Sequence, residues 1–241
     1  MTEKEKTLVE HLEELRRRII CILISVGLTT IGAFFFSRKI LNFLLFPLKD
    51  KLEKIIFIRP TEALFTTLQV SLFAGILISL PLILYHFWAF VAPGLTREEK
   101  RFFFPLLIFS VIMFLSGISF SFFIVLPLGL SFLLRFSSPQ LKPLFTISHY
   151  ISFLTFFLLG FGVIFESPLV ISVLSRMGII SPYDLKKWRK QAIVIILIIA
   201  ATLTPPDIFT QLMLAVPLYL LYEVSIILSY IFHKGVKIEE E

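Results

Sequence analysis

The chain is 241 residues long, 57% hydrophobic and only 17% charged, with 28 Phe, a formal net charge of +6 and a mean hydropathy of +0.91. Soluble globular domains run at about 45–50% apolar and about 25% charged, so a water-soluble fold is excluded and a bilayer is the natural solvent. At roughly 20 apolar residues per crossing, the length admits about six spanning helices and no sizeable soluble domain.

The chain opens on charge. Residues 1–18 are mostly polar, with Leu8, Leu12 and Leu15 at helical spacing, which predicts a short amphipathic helix. The apolar run that follows, about 19–36, is long enough to span and lacks the small-residue cleavage pattern of a signal peptide. It contains the single Cys, Cys21, which supports neither a disulfide framework nor a Cys-based metal site. Residues 38–62 mix both charge signs around Pro47 and Pro60 and read as a long loop with interfacial helical pieces. A second span covers about 63–90 and closes at the Pro93-Gly94 turn. The third runs over about 102–126, followed by a loop from Pro127 to Thr146. The fourth, about 147–174, leads into a basic segment in which Ser181-Pro182-Tyr183-Asp184 has the form of a helix start. The last two spans, about 192–203 and 208–232, are parted by Thr204-Pro205-Pro206-Asp207, and the fifth is short for a full crossing. The expectation is a single polytopic, all-α membrane domain over residues 1–241.

Six spans put both termini on one side. The segments on that side hold 15 of the 23 Lys and Arg, and the opposite loops hold 8, six of them in the first loop. The positive-inside rule then places both ends in the cytoplasm.

Polar groups inside such spans need a reason. Glu166 stands deep in the fourth, where a carboxylate costs roughly 2.5–3.5 kcal/mol on insertion scales and by default marks function. The competing reading is a protonated packing residue beside Pro168, whose ring leaves the Ile164 carbonyl unpaired. Glu223 near the cytoplasmic end of the last span could snorkel. Gln69, His86 and Gln211 suit interhelical hydrogen bonds. At the amphipathic N-terminus, Glu13 with Arg17 and Glu14 with Arg18 form i,i+4 pairs, and Thr96-Arg97-Glu98-Glu99 fits a capping box. There is no nucleophile with a plausible base, no metal-ligand spacing and no Gly-rich phosphate loop. Carboxylates at a membrane surface suit a cationic ligand, above all a guanidinium, and a basic peptide leading into an apolar segment has that chemistry.

Four motifs in order carry a resemblance. His11-Leu12-Glu13-Glu14-Leu15-Arg16-Arg17-Arg18, Trp88-Ala89-Phe90-Val91-Ala92-Pro93-Gly94-Leu95 with Glu99, Phe161-Gly162-Val163-Ile164-Phe165-Glu166-Ser167-Pro168, and Leu203-Thr204-Pro205-Pro206-Asp207 with Gln211 together resemble the TatC family, the receptor core of the twin-arginine protein translocase. The resemblance implies six helices in a concave, glove-like bundle in the bacterial cytoplasmic membrane. It implies that Glu14 and Glu99 bind twin-arginine signal peptides of folded cargo, with Arg16, Phe90 and Pro93 in the same site. Glu166 matches the family's intramembrane acid, and Pro47, Asp207 and Gln211 match its external positions. The implied partners are single-span TatA/TatB-type proteins, further copies of the same chain and the lipid bilayer. No cofactor, metal or nucleic acid is implied, and transport is expected to be driven by the proton motive force. The rival is a proton-coupled small-molecule transporter using Glu166, against which the lack of inverted repeats counts. An intramembrane hydrolase ranks last, since His86 and His149 have no evident catalytic partner.

Overall fold

A computed structural model describes residues 8–48, 55–56, 58–91, 103–135, 145–203 and 208–232. Pro93, the 96–99 segment with Glu99, and Asp207 lie outside the described residues. The elements in chain order are α1 (Leu8–Phe34), α2 (Ser37–Leu44), a 3-10 turn (Phe46–Leu48), β1 (Ile55–Ile56), α3 (Glu62–Val91) and α4 (Phe103–Phe120). A π-helical turn (Ser121–Val125) leads into α5 (Leu126–Leu134), then come β2 (Phe145–Thr146), α6 (Ile147–Phe165), α7 (Ser167–Arg176), α8 (Pro182–Lys187), α9 (Arg189–Leu203) and α10 (Ile208–Phe232). Among the described residues, five helical stretches are long and apolar enough to cross a membrane: Leu12–Phe34, Glu62–Val91, Phe103–Phe132, Ile147–Arg176 and Ile208–Ile231. The protein is an all-α membrane protein; its only described strands are the two-residue pair β1 and β2, parallel with Ile55 opposite Phe145.

Three elements differ from the sequence expectation. The amphipathic segment and the first span are one unbroken helix, α1, because nothing between Leu8 and Phe34 removes a backbone donor. The third helical stretch does not stop at Leu126 but continues to Leu134. Pro127 lacks the N–H that would bond the carbonyl four residues back, and the π-turn just before it, closed by Leu126 N–H on the Ser121 carbonyl, absorbs that irregularity. The fourth stretch is broken at Glu166. There the Glu166 N–H bonds Val163 O at 3.1 Å in a tighter turn, and the Glu166 carbonyl restarts the ladder by accepting from Leu169 and Val170 at 3.0 and 2.9 Å. Pro168 sits at the start of α7, where its missing N–H costs nothing.

The chain divides into two compact units, Met1–Val111 with Leu144–Thr155, and Ile112–Pro143 with Phe156–Glu241. In the first, α1 lies along α3. Thr29 joins them, its Oγ1 lying 2.9 Å from both Ser25 O and Gly75 O and 2.8 Å from Ser79 Oγ. Ser25 Oγ reaches the same Ser79 hydroxyl at 3.2 Å. Gly75 makes this approach possible, since a Cβ there would run into the Thr30 backbone and hydroxyl. The rest of α1, with Leu23, Leu28 and Ile31 each more than 60% exposed, is apolar surface suited to lipid. Gln69 of α3 binds α6 with both ends of its amide, donating to Thr155 Oγ1 at 3.1 Å and accepting from Ser152 Oγ at 3.0 Å. Tyr150 of α6 donates to Leu44 O of α2 at 3.1 Å.

In the second unit α10 packs against α7 and α9. Ser229 donates to Ser175 Oγ at 2.7 Å, and Gln211 Nε2 to Leu197 O at 3.0 Å. Here α4 and α6 approach through two glycines: a Cβ on Gly117 would meet Phe161 O and the Phe165 side chain, and one on Gly162 the Phe114 ring. Ser181 caps α8 by accepting from Tyr183 N–H at 3.3 Å, with Pro182 at the first helical position. Helix α9 has 15 residues, about 22 Å at 1.5 Å per residue, against about 30 Å of hydrocarbon.

Gly75→Val is expected to destabilise the protein by about 1–3 kcal/mol, whereas Gly27→Ala, where an added Cβ meets nothing within 4 Å, should stay within about 0.5 kcal/mol. Denaturant unfolding of the purified protein in detergent measures both.

Candidate functional site

At its N-terminal end, α1 presents Glu10, Glu13 and Glu14, then Arg16, Arg17 and Arg18. Glu10, Glu13, Arg16 and Arg17 are exposed, while Glu14 and Arg18 are partly covered. The 3.6-residue repeat sets Glu14 and Arg18 one turn apart. Arg18 donates to Glu14 Oε1 from Nε at 3.1 Å and from Nη2 at 2.5 Å. The same Nη2 lies 3.2 Å from Ala89 O. Ala89 is among the last four residues of α3, whose carbonyls have no partner within the helix, and a helix C-terminus favours a cation. The guanidinium therefore ties the acidic end of α1 to the end of α3.

Trp88 fixes that end of α3. It is 1% exposed, and its Nε1 donates to Ser110 Oγ of α4 at 3.0 Å. Tyr85 meets Phe103 edge to face with centroids 5.7 Å apart. Phe90, the next residue after Ala89, is half-buried. The structure thus links Glu14, through Arg18, to the Ala89 carbonyl at the end of α3 and leaves Arg16 exposed. Pairing of Glu14 with Arg18 is legible from spacing, but the Arg18 contact with Ala89 is not; the signal that points to it is a helix end in need of a cation. His86, expected to hydrogen-bond between helices, has a buried Nδ1 with no hydrogen-bond partner.

Glu166 is 8% exposed at the joint between α6 and α7, and its side chain does not cap α7. Around this level of α4 and α6, Phe120 packs on Phe165 and Phe161 with centroids 5.6 and 6.3 Å apart, and Phe157 on Phe161 at 4.9 Å. Glu223 does not stand alone: Arg189 Nη2 lies 2.6 Å from Oε2, and Tyr219 donates to Oε1 at 2.7 Å. With Tyr222 donating to Leu185 O at 2.7 Å, this cluster ties α8 and the start of α9 to α10. Pro47 lies in the 3-10 turn Phe46–Leu48, half-buried. Among the described residues no group of three or more His, Cys, Asp or Glu is placed to hold a metal ion.

The family profile described as Sec-independent protein translocase protein (TatC) matches residues 10–217. The chain belongs to the TatC family. Sec-independent protein translocase protein TatC of Desulforapulum autotrophicum is 43% identical over 99% of this chain and 90% of its own length. That of Aquifex aeolicus is 42% identical over 92% and 94%. A solved structure described as the twin arginine translocase receptor TatC superposes with a TM-score of 0.84 at 41% identity, covering 92% of this chain and 99% of that one. This TatC-family chain is therefore a multi-pass membrane protein of Sec-independent protein translocation. The proton-coupled transporter reading gains no support from these relatives.

The Trp88 contact gives a prediction for this TatC-family site. Trp88→Phe should cost about 1 kcal/mol through the lost hydrogen bond to Ser110, read as a lowered thermal unfolding midpoint in detergent.

Proposed function

We propose that the chain is the receptor of a twin-arginine translocase, that it binds the signal peptide of a folded cargo at the cytoplasmic face through Glu14 and Glu99, and that both its termini are cytoplasmic. The observation that carries this reading is the Glu14 carboxylate, partly covered at a helix-end corner and already in a geometry that accepts a guanidinium. A carboxylate of limited exposure binds a planar guanidinium more strongly than an open surface acid does. Phe90, next in the chain to Ala89 and half-buried, is proposed to supply apolar surface for the residues flanking the arginines. Arg16, Pro93 and Glu99 complete the site by resemblance to the family, and the 15 to 8 distribution of basic residues supports the orientation.

Glu166, with Gln211, Asp207 and Pro47 at the other positions matched by the family, is proposed to serve assembly with single-span TatA/TatB-type partners and with further copies of the chain. A carboxyl group held within a span attracts a polar group from another helix, because the alternative is hydrocarbon. Passage of cargo is proposed to draw on the proton motive force; the residues named bind and orient.

Charge reversal at both acids, Glu14→Lys with Glu99→Lys, should reduce crosslinking of a twin-arginine signal peptide by about tenfold or more; undiminished crosslinking would sink the assignment. Glu166→Leu should leave signal crosslinking unchanged while export of a twin-arginine reporter in cells falls. If the loss appears in signal crosslinking instead, Glu166 belongs to the signal site and not to assembly.

A further inference from the structure

The carboxylate assigned to a signal arginine holds an arginine of the chain itself. Arg18 places Nε and Nη2 on the same oxygen of Glu14, and Nη2 also reaches Ala89 O of α3. The two side chains are 18% and 21% exposed for Glu14 and Arg18, so the pair is about four-fifths covered. Arg16 and Arg17 extend into the open. An ordinary surface i,i+4 pair contributes little and links one helix to itself. This one bridges two helices and is drawn partly out of water. Its cation is chemically the same group that the proposed ligand brings.

We propose that Arg18 is a resident guanidinium that occupies the Glu14 end of the signal site in the free protein and is displaced by an arginine of the incoming peptide. The inference rests on the reading of Glu14 as a signal ligand. Binding is then an exchange of one guanidinium for another, and its free energy is a difference between two similar pairs. The acid stays paired before and after, so at no stage is a partly buried carboxylate left uncompensated. Once displaced, Arg18 still has the carbonyl end of α3 beside it, where a cation is favoured.

The exchange sets how strong a ligand must be to enter, not which cation is preferred. A lysine ammonium is a compact, strongly hydrated point charge without the planar fork of N–H groups that Arg18 uses. It pairs less well with Glu14 than a guanidinium does, and since either ligand displaces the same Arg18, the preference for arginine is the difference between those two pairings alone. With Arg18 removed, a twin-arginine and a twin-lysine peptide both gain by the same factor, because each was displacing the same resident group.

The test is equilibrium binding of a fluorescently labelled twin-arginine signal peptide, and of its twin-lysine counterpart, to the full chain purified in detergent. Arg18→Gln is expected to tighten twin-arginine binding about two- to fivefold, the scale of an exposed to partly covered ion pair, and twin-lysine binding by the same factor. Arg18→Lys is expected to fall between Arg18→Gln and the unaltered protein, and it carries the test alone if Arg18→Gln does not fold by thermal unfolding. Unchanged or weaker twin-arginine binding in the Arg18 variants, or tightening confined to one of the two peptides, overturns the resident role. Glu14→Gln separates the two readings. Loss of binding there without any gain in the Arg18 variants rejects the resident guanidinium alone, while unaffected binding in Glu14→Gln rejects the signal site itself.

Discussion

Hydrocarbon offers no hydrogen bonds, so a polar side chain within a span is satisfied by its own helix or by a neighbouring one. The contacts between helices in this protein follow from that constraint. Thr29 and Ser25 face Ser79 and the Gly75 carbonyl, Gln69 divides its amide between Thr155 and Ser152, and Ser229 meets Ser175. Each such bond is modest, on the order of 0.6 kcal/mol in membrane proteins. Their value lies in register: a helix rotated by a quarter turn would turn these groups toward lipid. Apolar packing between helices in lipid distinguishes such rotations weakly, because lipid tails are as apolar as Leu.

Close approach is the second half of the same constraint. Small residues stand where backbones must meet, at Gly75 against Thr30 and at Gly117 and Gly162 against the phenylalanines of the facing helix. Where a proline interrupts the ladder, the disturbance is confined. The π-turn ahead of Pro127 keeps that helix going to Leu134, and the tight turn at Glu166 lets Pro168 open α7 as a first-turn residue. The single acid of the fourth stretch therefore sits at a joint in the backbone, where the helix has already given up its regular bonding.

Much of this was legible in the residues. Hydropathy located the long helices, because a bilayer imposes a length that few other environments do. Ser181 and Pro182 announced α8 through capping chemistry that acts locally. The i,i+4 spacing put Arg18 on Glu14. What composition and spacing did not carry were effects that need two distant parts of the chain: the Ala89 carbonyl as a third partner of Arg18, and Trp88 anchored on Ser110. Periodicity also missed the continuation past Pro127, since proline reads as a stop unless a wider turn precedes it. The loss of a partner at His86 Nδ1 has the same origin, because a lone polar residue in a span predicts a bond without naming what lies opposite.

Helix α9, at about 22 Å, is roughly a quarter shorter than the hydrocarbon it sits beside. Hydrophobic mismatch of this kind is met by compressing the surrounding lipid, at fractions of a kcal/mol per Å. An annulus of strained lipid is a property of the membrane as much as of the protein. Two short helices standing side by side share one such annulus, so the elastic energy of the bilayer itself favours a short neighbour at this edge over a long one.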